Sequence, residues 1–324
     1  EIGRAALPSP YFATSVLVVS ALLAGGSEAI KRRYLPEIAA GRLTATLAWL
    51  EEPVSWSARD VRLTARPDGD GWLLEGTKWV VPWAHAADLI VVAARTPEGV
   101  TLFALDSQQA SGSAGRERPS MSEAEGARTA GLTIKPLPTF DMTQRVSRVD
   151  FAGVRASREQ LVGPPGAGAA VLEEVLLQAA LGASAEMLGA SRRCLEMAVE
   201  YAKTREQFSQ PIGMFQAVKH KCADRLVDVE ESHSATYYAA WALSAEAAGA
   251  ELAASVAKAF VSDASRRVCS DAIQVHGGIG FTWDYDLQLY FKHAKHLEPL
   301  YGDADFHRER ALSLALAESS EVPA

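Results

Sequence analysis

Cysteine is scarce in this chain, and its spacing argues against small domains that are held together by disulfides or by zinc. The three cysteines, Cys194, Cys222 and Cys269, are far apart and form no Cys-x-x-Cys pair. This spacing argues against a disulfide framework and a structural zinc site, and a reducing, cytoplasmic location is predicted. Each cysteine lies in a helical pattern, where a thiol is expected to serve as a small apolar core residue.

An excess of positive charge is also missing. The net charge of −8 argues against a broad nucleic-acid surface, since phosphate binding depends on clustered Lys and Arg. A local basic patch, sufficient for a coenzyme A ligand, stays compatible with this charge. The hydrophobic content of 48% with 22% charged residues is ordinary for a globular protein and argues against disorder.

No apolar run is long enough to predict a membrane span. The run from Tyr11 to Ala24 is too short and lacks the basic flank and cleavage pattern of a signal sequence. Ser9 and Pro10 before it are typical of an N-cap and a first helical position, so we predict a buried helix. The chain has no initiator Met and enters this helix almost at once. We therefore expect that a preceding piece of this domain lies outside the chain.

Three regions with different patterns follow one another. Residues 1–45 show helical periodicity, including a helix from Ser27 to Ala40. Residues 46–162 contain short β-rich runs separated by turns such as Pro67 to Gly71, which predicts an antiparallel sheet or small barrel. Within them, residues 108–128 are predicted to form a long loop.

Residues 163–324 are helical. Long patterns at 169–203, 215–248 and 251–274, with shorter ones from Asp284 and Asp303, predict a four-helix bundle. The predicted fold class is therefore α+β in several layers: N-terminal helices, a middle antiparallel β-domain and a C-terminal four-helix bundle.

Two motifs in the helical region indicate the chemistry. The first is Tyr201-Ala-Lys-Thr-Arg-Glu-Gln-Phe-Ser-Gln-Pro-Ile-Gly213, continuing to Gln216. A guanidinium such as that of Arg205 can pair bidentately with a pyrophosphate, and Phe208 can pack on an apolar cofactor edge. The second is Gln274-Val-His-Gly-Gly-Ile-Gly-Phe281, in which glycines after a helix let backbone N–H groups approach an anion. Because it follows a helix, it is not a Rossmann fingerprint.

Together these motifs resemble the paired flavin-binding signatures of the acyl-CoA dehydrogenases, whose layout matches the predicted one. Only Ser209, for the usual glycine, departs from the pattern between Tyr201 and Gln216. The resemblance implies FAD as the cofactor, with its pyrophosphate and adenosine clasped by motifs from neighbouring subunits, and hence an oligomer. The cofactor-binding residues implied by the match are Arg205, Phe208, Gln216, Gln274, Gly277 and Gly278. No metal ligand is implied.

The middle region departs from the family where the flavin ring is held. The family's Thr-Glu-Pro-x-x-Gly-Ser-Asp loop corresponds to residues 51–58, with Glu51, Trp56 and Ala58 replacing its Thr, Gly and final Asp. The Trp-Ile-Thr or Trp-Ile-Ser segment against the flavin corresponds to Val80-Val-Pro82. Pro82 has no backbone N–H to donate, and Val80 cannot stack as an indole does.

The family's catalytic base is a glutamate that removes the α-proton of an acyl-CoA while the β-hydride passes to the flavin. Its usual position is Tyr301 here, and the alternative position of a minority of the family is Ala179. A neutral Tyr is a poor base at pH 7. The nearby carboxylates, weighed as substitutes but predicted to be surface charges, are Glu298, Asp303, Glu173 and Glu174. We predict that His276, His293, His296 and His307 are surface residues or contacts to CoA phosphate.

Three functions stay open from the sequence. The favoured one is a subunit like the shorter, base-lacking type of heteromeric acyl-CoA dehydrogenases, in which a catalytic partner supplies the base. That resemblance implies steroid side-chain or other bulky acyl-CoA thioesters as substrates, and electron-transfer flavoprotein or a similar acceptor. The second is a self-sufficient homotetrameric dehydrogenase with a relocated carboxylate. The third is a non-enzymatic oligomer scaffold.

Overall fold

The computed structural model describes residues 1–107 and 130–320, with side chains up to residue 317. The loop predicted at 108–128 lies outside the described residues. The chain forms two compact units, which we call the sheet unit (residues 9–139 and 144–178) and the helical unit (residues 1–8, 140–143 and 179–324). The domain boundaries predicted at 45 and 162 stay predictions.

The sheet unit begins with the buried helix predicted after Pro10. A π-helical stretch, Phe12–Val18, continues as α2, Val19–Gly25, and its inward residues include Leu17, Val18 and Leu22. The Ser9 hydroxyl accepts a hydrogen bond from the backbone N–H of Tyr11 at 3.2 Å, as an N-cap does. Helix α3, Glu28–Ala39, is capped in the same way by Ser27. The short helix α1, Ile2–Ala5, belongs to the helical unit.

One eight-stranded sheet forms the centre of this unit. Its strands are β1 Ala45–Ala48, β2 Thr64–Asp68, β3 Gly71–Pro82, β4 Leu89–Thr96, β5 Gly99–Asp106, β6 Leu132–Leu137, β7 Val146–Ala156 and β8 Leu161–Val162. They run in the order β6-β7-β3-β2-β4-β5-β8, with β1 beside β4. The predicted turn at Pro67 to Gly71 joins β2 and β3, and Gly69 there has a φ of +62°.

The sheet departs from the predicted antiparallel arrangement in one respect. Strands β1 and β2 both pair with β4 in parallel, so the sheet is mixed. Strand β4 is buried along almost all its length, which is why its sequence is a continuous apolar run and shows no alternation. Period-two patterns identify strands but carry no information on the direction of distant partners.

Helices build the helical unit. They are α4 Gly168–Thr204, which begins in the sheet unit, then α5 Gln216–Ser244, α6 Ala250–His276, α7 Leu287–Leu297 and α8 Ala304–Ser320. A hairpin of β9 Glu206–Gln207 and β10 Gln210–Pro211 separates α4 from α5. Cys194 and Cys269 are buried as predicted, whereas Cys222 is only half-buried.

Helix α4 is the one described helix that is long and apolar enough to cross a membrane. More than half of its most apolar window, 56%, is buried inside the protein. Core helices of globular proteins meet the same length and composition test, so this observation is weak evidence for a span.

Candidate functional site

The first motif ends α4 and forms an exposed, strained turn. Phe208 and Ser209 lie in the tip between β9 and β10, with φ angles of +53° and +62°. Left-handed conformations are uncommon for residues other than glycine, and they cluster at functional sites. Phe208 is 89% exposed, which excludes a core role for its ring.

The backbone of Arg205 is fixed, while its guanidinium has no ion-pair partner in the described part of the chain. Its N–H donates to the Tyr201 carbonyl at 2.8 Å, and its carbonyl accepts from Ile212 N–H at 2.8 Å. Within residues 1–107 and 130–320, no carboxylate pairs with this guanidinium. Gln216, the first residue of α5, is likewise exposed.

The second motif follows the end of α6. Gln274, Gly277 and Gly278 are exposed, and Gly277 has a φ of +66°. A Cβ atom placed at Gly278 would meet nothing within 4 Å, whereas one at Gly280 would lie 2.9 Å from the Ile273 carbonyl. Gly280 is thus required by packing within the chain. Gly278 is not, and its bare backbone is open to a group from outside.

The two motifs meet within a single chain. The ring of Tyr201, from the first motif, stacks on that of His276, from the second, with centroids 4.2 Å apart, and Tyr285 packs against both. His276 donates from Nδ1 to the Ala272 carbonyl at 2.8 Å. These ring contacts join the two motifs within one chain, and the expectation that FAD is clasped by motifs from neighbouring subunits stays a prediction.

In the sheet unit, the loop that resembles the flavin-ring loop is occupied by contacts of its own. The Glu51 carboxylate accepts hydrogen bonds from the N–H groups of Arg62 and Leu63, at 2.8 and 2.9 Å, and pairs with the buried Lys78 ammonium. Lys78 also donates to the Trp49 carbonyl at 3.1 Å. Burial lowers the pKa of Lys78 to about 8, against the opposing charge of Glu51. Glu51 therefore has a structural role here.

The segment facing the expected flavin ring is irregular. The pairing of β3 with β7 shifts register between Lys78 and Val81, and Val80 has a φ of +51°, which is rare for a β-branched residue. The Pro82 carbonyl accepts a hydrogen bond from the Thr46 hydroxyl. This segment thus lacks the donor group that Thr or Ser supplies in the family pattern, and the Pro82 carbonyl is already hydrogen-bonded within the chain.

Tyr301, at the family's base position, lies in a firmly held turn. Tyr301 and Gly302 have φ angles of +61° and +98°. The buried Lys258 ammonium donates to the carbonyls of Glu298 and Gly302 at 2.8 and 2.9 Å. His307 Nε2 donates to the Tyr301 carbonyl at 2.9 Å.

Neither family position can supply a base. Burial, followed by the charge of Glu186, raises the pKa of the Tyr301 phenol, which therefore stays neutral. Ala179 is fully buried and carries no titratable group.

The substitute carboxylates weighed from the sequence are all engaged or exposed. Glu298 is partly buried and pairs with Arg266 and Lys295. Asp303 caps α8 by accepting from Phe306 N–H at 2.8 Å. Glu173 is exposed and lies 3.5 Å from Arg59, and Glu174 is exposed.

A buried ionic cluster, which we call the clamp, was missed from the sequence. His293 lies between Asp141 and Glu186, with Nδ1 2.9 Å from an Asp141 oxygen and Nε2 3.4 Å from a Glu186 oxygen. Asp141 also accepts from the N–H and hydroxyl of Thr143 at 2.9 and 2.7 Å. Burial alone would lower the pKa of His293, but the hydrogen bonds and charges of the two acids raise it to about 9. The imidazolium form therefore prevails at neutral pH.

The prediction of surface histidines is thus wrong for His276, His293 and His307, all of which are buried, and His296 is half-buried. The sequence held one signal for the clamp. Glu186 lies seven residues after Ala179, on the same face of α4 and about 10 Å further along it. A carboxylate on the buried face of an apolar helix needs a partner, and His293 is that partner.

Comparisons with known proteins place these features in a family. Residues 46–135 match the acyl-CoA dehydrogenase middle domain, and residues 166–313 match the acyl-CoA dehydrogenase C-terminal domain. A curated relative, acyl-CoA dehydrogenase IpdE2 of Mycolicibacterium smegmatis, is 30% identical over 93% of this chain and 72% of its own length. The chain belongs to the acyl-CoA dehydrogenase family, a class of FAD-dependent oxidoreductases.

Two of the similar solved structures are each named for two proteins. The ChsE4–ChsE5 complex from Mycobacterium tuberculosis is 27% identical with a TM-score of 0.82, covering all of this chain and 79% of that one. The steroid acyl-CoA dehydrogenase Tcur3481–Tcur3483 is 29% identical with a TM-score of 0.82, covering 99% of this chain and 80% of that one. The multilayer α+β architecture predicted from the sequence is confirmed.

Proposed function

We propose that this chain takes part in the α,β-dehydrogenation of an acyl-CoA thioester as one subunit of a hetero-oligomer whose partner supplies the catalytic base. The observation that carries the proposal is the pair of positions 301 and 179. The first holds a buried phenol whose pKa is raised, and the second holds a buried alanine. FAD, when bound, would supply the acceptor for the β-hydride, and formation of the double bond also needs a carboxylate that takes the α-proton.

Residues of the helical unit would hold the FAD pyrophosphate and adenosine. The Arg205 guanidinium, which has no carboxylate partner among the residues that the structure describes, supplies charge, and the open backbone at Gly278 admits close approach. The full set is exposed on one unit, as a half-site completed by another subunit requires: Arg205, Phe208, Gln216, Gln274, Gly277 and Gly278.

The partner and substrate classes follow from the relatives. A two-protein complex and a steroid acyl-CoA dehydrogenase are among the similar structures, which supports a hetero-oligomer and bulky, steroid-like acyl thioesters. An electron-transfer flavoprotein or a similar acceptor would reoxidise the flavin. The free cysteines support a reducing, cytoplasmic location.

One observation favours the second candidate, a self-sufficient homotetramer. Glu186 is the carboxylate whose charge acts on Tyr301, so it lies near the family's base position, and its only ionic contact among the described residues is with His293. If the base has been relocated within this chain, Glu186 replaces the earlier substitutes, which are engaged elsewhere or exposed. The third candidate, a scaffold without flavin, is separated from both by the flavin absorbance of the purified protein.

The deciding experiment measures turnover of a panel of acyl-CoA thioesters with a dye acceptor. The chain is assayed alone and after co-purification with a co-encoded dehydrogenase homologue. We expect little or no turnover from the chain alone and robust turnover from the pair. Light scattering on the same samples should show an assembly larger than the 34.7 kDa monomer.

Two variants distinguish the first two candidates. Glu186→Gln removes the relocated-base candidate, and Glu173→Gln is a matched control on the exposed face of the same helix. Robust turnover by the unaccompanied chain that Glu186→Gln abolishes and Glu173→Gln preserves would overturn the partner-supplied base. A colourless protein that binds no FAD, alone or with its partner, would favour the scaffold.

A further inference from the structure

Helix α5 carries its large apolar side chains on its outer face. Its buried side chains are mostly small or polar, as at Ser232, Thr236 and Ala239. The exposed ones, each 50–65% exposed, are Leu226, Val227, Tyr237, Tyr238 and Trp241. A surface helix normally directs such side chains towards the core. In the part of the chain that the structure describes, nothing covers this face, so we expect another protein to do so.

The exposed apolar side chains form two groups with two carboxylates between them. Leu226 and Val227 form one group, and the aromatic residues that end at Trp241 form the other, about 22 Å further along the helix. Glu230 and Glu231 are exposed between the groups. Spacings of three, four and seven residues keep all these positions on one side of a helix. We call positions 226, 227, 230, 231, 237, 238 and 241 the α5 stripe.

The aromatic end of the stripe is already ordered within the chain. The ring centroids of Tyr238 and Trp241 are 5.7 Å apart, and those of His233 and Tyr237 are 4.3 Å apart. Rings that pack on neighbours one turn away lose little freedom when a partner binds. Trp and Tyr are also the residue types that most often dominate the binding energy of an interface.

The carboxylates of the stripe are weakly neutralised by the rest of the chain. Glu230 lies 3.7 Å from Arg192, and both side chains are exposed. Within residues 1–107 and 130–317, Glu231 has no ion pair. Exposed ion pairs contribute little to stability. The middle of the stripe is therefore negatively charged.

The order apolar, acidic, apolar disfavours a second copy of this chain as the partner. In a two-fold contact the same surface of both copies meets itself. A self-contact that buries both apolar groups would thus bring four carboxylates together across helix axes about 8–10 Å apart. Like charges that face each other suppress the wrong partner. A helix with basic side chains between two apolar groups fits the stripe instead.

We propose that the α5 stripe docks a helix of the partner subunit, and that Glu230 and Glu231 select this subunit over a second copy by pairing with Lys or Arg in the middle of its helix. This inference rests on the proposed hetero-oligomer and names the surface and the charge pattern that choose the partner. The apolar groups supply the contact area, and the carboxylates supply the selectivity.

Mixing two forms of the whole chain tests the charge pattern without the partner. The probe is the double variant Glu230→Lys, Glu231→Lys, which has a basic centre in the same stripe, mixed with isotope-labelled wild type. We expect the wild type to bind this variant roughly tenfold or more tightly than it binds itself, because repulsive contacts become attractive. Light scattering across a concentration series gives the affinities, and native mass spectrometry identifies the mixed assemblies. The preference should fall with added salt.

The complex with the co-encoded dehydrogenase homologue tests the apolar contact. Trp241→Ala should weaken this complex by roughly thirtyfold, the effect of losing one aromatic hot spot. Leu312→Ala is the matched control, because it shortens a 62% exposed side chain on α8, and it should leave the affinity unchanged. The double lysine variant should also weaken the complex, and Glu231→Lys alone should do so to a smaller extent.

Three outcomes would overturn the proposal. The first is equal affinity of the wild type for itself and for the double lysine variant. The second is unchanged affinity for the homologue in Trp241→Ala. The third is a tight dimer of the wild-type chain that Trp241→Ala dissociates, which would make a second copy the occupant. Failure of the proposed function is distinct from all three: the pair would assemble through the α5 stripe and show no acyl-CoA turnover.

Discussion

The two places where the family holds its flavin differ in how the chain treats its polar groups. In the sheet unit, Glu51 accepts two backbone hydrogen bonds and pairs with Lys78, and the Pro82 carbonyl bonds to Thr46. In the helical unit, Arg205 has no carboxylate partner among the described residues, and the backbone at Gly278 is open. The polar groups of the first region are hydrogen-bonded to one another, whereas the guanidinium and open backbone of the second region remain accessible to a ligand.

This contrast indicates which half of a flavin site the chain can provide. Buried polar groups with complete sets of partners stabilise the fold and have little left for a ligand. An exposed cation and an exposed Phe208 in a strained turn do little for the fold, so a ligand or partner is the better explanation of both. The contrast agrees with the proposal that the chain completes a cofactor site together with a partner subunit.

The largest expected effect lies in the sheet unit. Lys78→Met breaks the ion pair with Glu51 and leaves a buried carboxylate short of its counter-charge. We expect a loss of about 3–5 kcal/mol in the free energy of unfolding, measured by urea denaturation. Lys135→Met is the control, because Lys135 is exposed and lies 3.6 Å from Asp150 at the surface. Its loss should stay within about 1 kcal/mol. Equal losses of unfolding free energy in the two variants would contradict a stabilising role of the Glu51–Lys78 ion pair.

The clamp extends the comparison, because its charged groups pair with one another within the helical unit and should respond to pH. The pKa of folded His293, about 9, is raised above the ordinary 6.5. Its contribution is therefore fully present below pH 6.5 and is lost as pH rises through about 9, amounting to about 3 kcal/mol at most. Urea denaturation across this window measures it. His293→Arg, with a permanent cation, should abolish this part of the pH dependence; an unchanged profile would exclude the clamp as its source.

On the ligand side, Arg205→Ala should spare the fold and weaken the cofactor site. Removing one charge-assisted contact is worth about 1.5–3 kcal/mol, or roughly ten- to a hundredfold in FAD affinity. Equilibrium dialysis of FAD, with unfolding measured in parallel, separates the two effects. Arg308→Ala is the control, since Arg308 is exposed but already paired with Asp263 and Asp305. Unchanged flavin content in Arg205→Ala would remove this residue from the site.

Local signals in the sequence predicted most elements, and distant pairings account for what was missed. The Ser9 cap, the turn at Pro67 to Gly71 and the helix predicted at 251–274 each depend on neighbours in the chain, so their positions were predicted within a few residues. The parallel pairing of β1 with β4 depends on residues some forty positions apart. The Asp141–His293 pair joins positions 152 residues apart, which is why a fully buried histidine was predicted at the surface.

The smallest effect concerns the strain stored at the tip of the first motif. Ser209 has a φ of +62° at the position where the family pattern has glycine. Ser209→Gly relieves a left-handed strain of about 1–2 kcal/mol but raises the entropy of the unfolded chain, so we expect a net gain of roughly 0.5–1 kcal/mol in unfolding free energy. Ser209→Ala keeps the strain and should show no gain. Because Phe208 beside it shares the turn, FAD affinity is measured for both variants. A stabilised Ser209→Gly with weaker FAD binding would show that the strain holds the exposed Phe208 ring in position for the cofactor, whereas unchanged affinity would assign the strain to the turn alone.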